Sequence, residues 1–188
     1  EPLAFLGMAI YAITMARKGG RAHPNRIATW WTIGCSIMSF VGAGFLGFAH
    51  TLPQVNRYTH GTLITAMHGH MAFWGAYAMI VLAVISYAMP LLTGRKLYDT
   101  AVANLAFWAA NIGMVAMTGA FAVAGITQVY LERKSGMDFL TVQREIEVHF
   151  IGLLLAATVF TAGITCFIWT FVRYGRPVGR VSAAGDES

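Results

Sequence analysis

Two histidines one residue apart, His68 and His70, lie with Gly69 between them inside an apolar run from Gly61 to Met89. Ionisable groups within a membrane span are costly and mark function. On a helix, positions i and i+2 stand about 200° apart, so the two imidazoles point to opposite sides. They do not converge on one metal as an i, i+4 pair does, but they suit two separate cofactors, one on each side of the rod. At the rise of an α-helix starting near Gly61, His68 lies about 10 Å from that end. Gly69 removes a side chain where two large rings would crowd one helix. Haem fits such a position, being a broad apolar disc whose iron takes a neutral imidazole axially. Spacing alone leaves two alternatives open: buried histidines bonded to backbone or neighbours, and a proton-relay pair in a transporter.

The elements that carry these residues are apolar and long. The 188 residues are 57% hydrophobic, 13% aromatic and 11% charged, with mean hydropathy +0.60. Soluble domains carry about 25% charged residues. The composition therefore excludes a disordered chain, a nucleic-acid partner and a water-soluble globule. Five apolar runs stand out: Pro2–Ala16, Ile27–Ala49, Gly61–Met89, Ala101–Tyr130 and Val148–Val172. Backbone groups in lipid must be satisfied within the segment, and the runs lack the alternation of a barrel strand, so all five are expected as helices. The first is shorter than the ~20 residues a span requires. With a start at Glu1 and no signal-peptide pattern, this suggests the C-terminal part of a longer protein. The expected architecture is an all-α polytopic bundle of about five helices over 1–174, followed by a tail over 175–188.

Charge sets the orientation. Arg17, Lys18, Arg21, Arg26, Arg95, Lys96, Arg173, Arg176 and Arg180 fall on one side if each run crosses once. Arg57, Arg133, Lys134 and Arg144 fall on the other, with the acids Glu132, Asp138, Glu145 and Glu147. The excess of cations places the first side, and the C-terminal tail, in the cytoplasm. The polar stretches 50–60 and 131–147 then read as outward loops. Trp30 and Trp31 read as interfacial belt residues.

Several features need no chemistry. Gly42-Ala43-Gly44-Phe45-Leu46-Gly47 matches the dinucleotide pattern GxGxxG, but it sits inside a span and not between a strand and a helix. It reads as a small-residue face for close helix packing. Cys35 and Cys166 form no CxxC pair. His149 reads as interfacial, and His23 as part of a basic cytoplasmic loop. Thr118, Thr127, Gln128, Thr158 and Thr161 are candidates to line a water path, or to be satisfied internally. Met67 and Met71 flank the histidine pair as packing residues. His50 and His60, at the outer ends of the second and third helices, form with Asn56, Arg57 and Thr59 a set of donors and cations suited to haem propionates. An ordinary polar loop with a helix-end cap reads equally well.

The stretch His50-Thr-Leu-Pro-Gln-Val-Asn-Arg-Tyr-Thr-His60-Gly-Thr, followed by His68-Gly-His-Met-Ala-Phe-Trp-Gly-Ala-Tyr-Ala-Met, closely resembles the catalytic subunit of bacterial nitric oxide reductases. These form the haem–non-haem-iron branch of the haem-copper oxidase superfamily. Glu1-Pro2-Leu3 and Ser86-Tyr-Ala-Met-Pro90 extend the likeness, and the last two helices match in character. Oxygen-reducing relatives carry a bulky residue between the two histidines, so His-Gly-His points to the nitric oxide branch.

The resemblance implies that His68 is the proximal ligand of a high-spin haem b at the reaction site. His70 would be one axial ligand of a low-spin haem b. Glu1 would stand near a non-haem iron as a catalytic carboxylate. The other ligands of that iron, and the second axial ligand of the low-spin haem, would come from outside these residues. The five helices would belong to a fold of about twelve in a bacterial inner membrane. On this reading the fragment alone is inactive. The electron donor would be a membrane-anchored cytochrome c subunit, whose relatives the short tail resembles more, or quinol. Three rivals remain: an oxygen-reducing member of the superfamily, an electron-transfer cytochrome b without a reaction site, and a histidine-relay transporter.

Overall fold

The computed structural model describes residues 2–20, 25–94 and 101–173. Among them there is no strand. Helix α1 is Pro2–Lys18, α2 Arg26–Thr51, α3 Pro53–Thr59, α4 Leu63–Thr93, α5 Ala101–Lys134 and α6 Phe139–Arg173. Helices α2, α4, α5 and α6 are long and apolar enough to cross a membrane. Helix α1, at 17 residues, is shorter than a full span.

Two expected loops are largely helical. Within 50–60, Pro53 opens α3, where its missing N–H costs nothing. Within 131–147, α5 runs on to Lys134, and α6 starts at Phe139, well before the apolar run at Val148. That early stretch is amphipathic. Val142 and Ile146 face inward, fully buried, while Arg144, Glu145 and Glu147 are exposed. Counting apolar residues misses such a start, because only one face of it is apolar. Asp138 caps the helix by accepting from the Thr141 amide at 3.1 Å and the Thr141 hydroxyl at 2.5 Å.

Helices α2 and α4 touch backbone to backbone. Each contains a stretch of widened, π-helical turns, Phe40–Leu46 in α2 and Trp74–Ala78 in α4. A Cβ on Gly42 would lie 2.5 Å from the Met71 carbonyl carbon, and one on Gly75 would lie 2.4 Å from that of Met38. Each glycine is thus a notch for the other helix. Helices α5 and α6 repeat the device. A Cβ on Gly113 would meet the Phe160 nitrogen at 2.4 Å, and one on Gly163 the Ala110 nitrogen at 2.3 Å. Small residues at facing positions give such contact where lipid supplies no hydrophobic drive. The GxGxxG segment follows this rule at Gly42.

Trp31 corrects the belt reading. It has 0% exposure and stands edge-on to Trp74, Phe107 and Phe167 at 6.2, 5.0 and 5.6 Å. Trp30 packs against Phe107 and Trp108. Trp31 thus faces helices, while Trp30 is half-buried. Hydropathy cannot distinguish helix neighbours from the lipid boundary.

The C-terminal end of α4 is held by one side chain. Pro90 has no N–H for the Ser86 carbonyl one turn back. Asn25 supplies the missing donor: its Nδ2 donates to the Ser86 oxygen at 2.8 Å, while its Oδ1 accepts from the Ala28 amide at 3.1 Å. Asn25 thereby caps α2 and braces α4. A lost cap costs about 1 kcal/mol, and an orphaned buried carbonyl about 1–3 kcal/mol. We expect Asn25→Leu to destabilise the bundle by about 2–3 kcal/mol in detergent unfolding. Asn25→Ser keeps a neutral cap acceptor and loses the brace, so it should fall between. Equal stabilities for all three would remove the brace.

At the other end, the Thr141 hydroxyl, then its amide, hold the Asp138 carboxyl below the ordinary carboxylate range. A depressed folded pKa means the cap is intact at neutral pH and is lost as pH falls through that lowered value. Protection of the Thr141 amide, its exchange rate relative to the intrinsic rate at the same pH, should therefore fall only in acid. In Asp138→Ala protection should be low at every pH, and in Asp138→Asn it should not change with pH.

Candidate functional site

The helix carrying the histidine pair is positioned from its first residue. Thr62 caps α4 by accepting from the Ile64 amide at 3.3 Å. Gln128 of α5, 4% exposed, accepts from the Leu63 amide at 2.9 Å and donates to Glu132 Oε1 at 2.9 Å. Gly125 lets Ile64 approach; a Cβ there would lie 2.6 Å from the Ile64 nitrogen. Gln128 is therefore a clamp on α4, engaged at both ends of its amide. Thr118, Thr127 and Thr158 bond the carbonyls of Met114, Val123 and Leu154 on their own helices.

His68 and His70 face different walls. His68 turns to α2, where its Nδ1 bonds the Gly42 carbonyl at 3.0 Å. Its ring stacks on His50 at 5.0 Å between centroids and 23° between planes. Gly47 lies at its edge; a Cβ there would be 3.3 Å from Cε1 and 4.0 Å from Nε2. His70 turns toward α5 and α6. Its Nδ1 bonds the Ala66 carbonyl at 2.8 Å, and its ring lies 4.8 Å from Phe121.

The tautomers follow from these partners. A carbonyl only accepts, so Nδ1 carries a proton in both rings, and in the neutral imidazole Nε2 then presents its lone pair. Metal-bound imidazoles are held in this way, with the second ring nitrogen tied to a carbonyl. Backbone bonding of the two histidines, one of the alternatives left open by the spacing, engages Nδ1 of each ring and does not use Nε2.

His70 opens on an apolar groove of ≈ 770 Å³ between α4, α5 and α6, lined by Gly69, Phe73, Trp74, Met114 and Phe160 among others. This is the size and character of a cofactor site. A flat apolar macrocycle with an axial demand for one imidazole suits it. Gly69 belongs to the same wall. Apart from the two flanking histidines, a Cβ there would have nothing within 4 Å. The glycine keeps the groove floor flat.

Other expected residues separate into those joined to the pair and those apart from it. His50 joins it: the ring lies on His68, Nδ1 bonds the Leu46 carbonyl at 2.9 Å, and Nε2 is buried without a partner. Asn56 is half-buried on α3 and His60 is exposed at its end, and no side-chain hydrogen bond links either to the pair among the described residues. Arg57 lies over the Tyr58 ring at 4.9 Å. His149 is half-buried on α6. Among the described residues no three His, Cys, Asp or Glu side chains converge on a metal position. Glu1, His23 and the tail 175–188 lie outside the described residues. The Gly42 and Leu46 carbonyls, which hold His68 and His50, had no signal in the sequence beyond the run of glycines.

Comparison with known proteins bears on these residues together. The profile of the family described as cytochrome c and quinol oxidase polypeptide I matches residues 3–159. A nitric oxide reductase subunit from Stutzerimonas stutzeri is 41% identical over 184 residues, which cover 94% of this chain and 39% of that protein. The chain thus spans well under half the length of this relative.

The open space at Gly69 supplies a test. Gly69→Leu should leave the helical content and unfolding midpoint near those of the unaltered protein while filling the groove, so that added haem would no longer bind through His70. Haem uptake equal to that of the unaltered protein would show that the groove is not where a macrocycle docks.

Proposed function

Since the chain belongs to the cytochrome c and quinol oxidase polypeptide I family, and is a multi-pass helical membrane protein, we propose that it forms part of the catalytic subunit of a nitric oxide reductase. The observation that carries the reading is the His68-Gly69-His70 pair. Its two Nε2 lone pairs are presented on opposite walls of one helix, each ring held through Nδ1 by a carbonyl. The 41% identity to a nitric oxide reductase subunit supports the choice of substrate.

In this proposal His68 holds a high-spin haem b and His70 a low-spin haem b. The haem at His68, together with a non-haem iron, supplies the redox and Lewis-acid chemistry by which two NO, two electrons and two protons become N2O and H2O. The work of this chain is positional. Three consecutive residues fix the spacing of the two imidazoles within the width of a helix, about 10 Å. The apolar walls of the groove keep water from the electron-carrying side. Asn56 and His60, beside Arg57, provide donors for haem carboxylates at the outer end. Glu1 handles protons near the second iron, whose ligands come from elsewhere in the subunit. The bundle sits in a bacterial inner membrane with its C-terminus in the cytoplasm. Electrons arrive from a membrane-anchored cytochrome c subunit, with quinol as the alternative donor.

The enzyme with its full catalytic subunit is the material for the test. His68→Ala should remove the high-spin haem spectrum and abolish NO reduction while sparing the low-spin spectrum. His70→Ala should do the reverse to the spectra. A variant that keeps both spectra contradicts the assignment, and copper in place of non-haem iron in the purified enzyme would move it to the oxygen-reducing branch.

A further inference from the structure

We infer that His50 is a positioning residue for His68, acting through the face of its ring. This inference rests on the proposed ligation of haem by His68. One hydrogen bond, from Nδ1 to the Gly42 carbonyl, fixes a point on the His68 ring but leaves it free to tilt about the N···O line. Two further contacts remove that freedom. Gly47 closes on the Cε1 edge, and the His50 ring lies over one face at 5.0 Å, nearly parallel. His50 is itself held, because its Nδ1 donates to the Leu46 carbonyl at 2.9 Å.

Gly42 and Leu46 are one turn apart in the same widened stretch of α2, Phe40–Leu46. A single irregular segment therefore offers two carbonyls on one side, and each takes one imidazole. The rings stack because their anchors are spaced by a turn. The remaining nitrogen of His50 is buried and has no partner. Within this chain, then, the residue spends its Nδ1 on its own anchor and its face on His68. A ligand ring whose plane is fixed meets the haem iron at a fixed azimuth, and neighbours that orient a metal ligand govern how tightly the metal group is held.

The test uses the whole enzyme, with its full catalytic subunit, carrying His50→Ala, His50→Phe or His50→Asn. Phe keeps a flat face and loses the nitrogens. Asn keeps an amide donor and loses the face. The readouts are the iron–histidine stretching band of the ferrous high-spin haem and the rate at which that haem is lost to apomyoglobin. The low-spin spectrum at His70 is the internal control. Ala and Asn should broaden the band and speed high-spin haem loss about 10-fold, the lower end of the effect expected for a residue that orients a metal ligand. Phe should stay close to the unaltered enzyme, with the low-spin spectrum unchanged throughout. An unaltered band and loss rate in His50→Ala overturn the inference. Rescue by Asn and not by Phe also overturns it, assigning the ring nitrogen to a haem carboxylate instead. Loss of both haems in Ala and Phe alike overturns it as a general folding role. Survival of the high-spin haem in His68→Ala is a separate failure, since it removes the parent reading and this inference with it.

Discussion

The hydrogen bond from His68 Nδ1 to the Gly42 carbonyl ties the chemistry of this chain to its packing. It joins two helices, puts the proton on Nδ1 and sets the direction of Nε2. It forms because α2 widens at Phe40–Leu46, where the regular helical ladder loosens and carbonyls can take outside donors. Gly42 contributes twice. It offers the carbonyl, and its missing Cβ lets α4 approach until Met71 and Ala72 touch it. A side chain at that position would force the helices apart and break the bond that orients the ring.

The same logic runs through the rest of the bundle. In lipid, close packing and satisfied polar groups must replace the hydrophobic drive. Paired glycine notches join α2 to α4 and α5 to α6, and each buried polar side chain that bridges helices completes a backbone or side-chain group left short. Asn25 serves the carbonyl that Pro90 abandons, Gln128 serves the first amide of α4, and Asn111 of α5 accepts from the Trp74 indole at 3.2 Å. His68 is one more bridge of this kind, distinguished by having a second nitrogen left over.

Much of this was legible in the residues. The all-helical architecture follows from runs too long and too uncharged for anything else, and the opposed histidines follow from a spacing of two on the helical period. The close-packing role of the glycine-rich stretch in α2 was visible because the nucleotide pattern lacked its strand. What was not legible depends on partners in space. Trp31 has the composition of a membrane-boundary residue and the location of a core residue. Gln128 has the polarity of a channel lining, yet both ends of its amide are occupied. The amphipathic start of α6 was hidden by its charges, and α3 by the polarity of 50–60. The widened turns leave no mark in hydropathy, so the carbonyls that anchor His50 and His68 emerge only from coordinates.

Placing both imidazoles on one rigid rod has a mechanical result. Helices in a bilayer rock and slide against one another, and the groove beside His70 must widen and narrow as α5 and α6 move. The offset between the two rings does not share in that breathing, because it is carried by three successive residues and not by an interface. Thermal fluctuation can change how tightly the groove walls close, but the distance between the two imidazoles keeps nearly the same length.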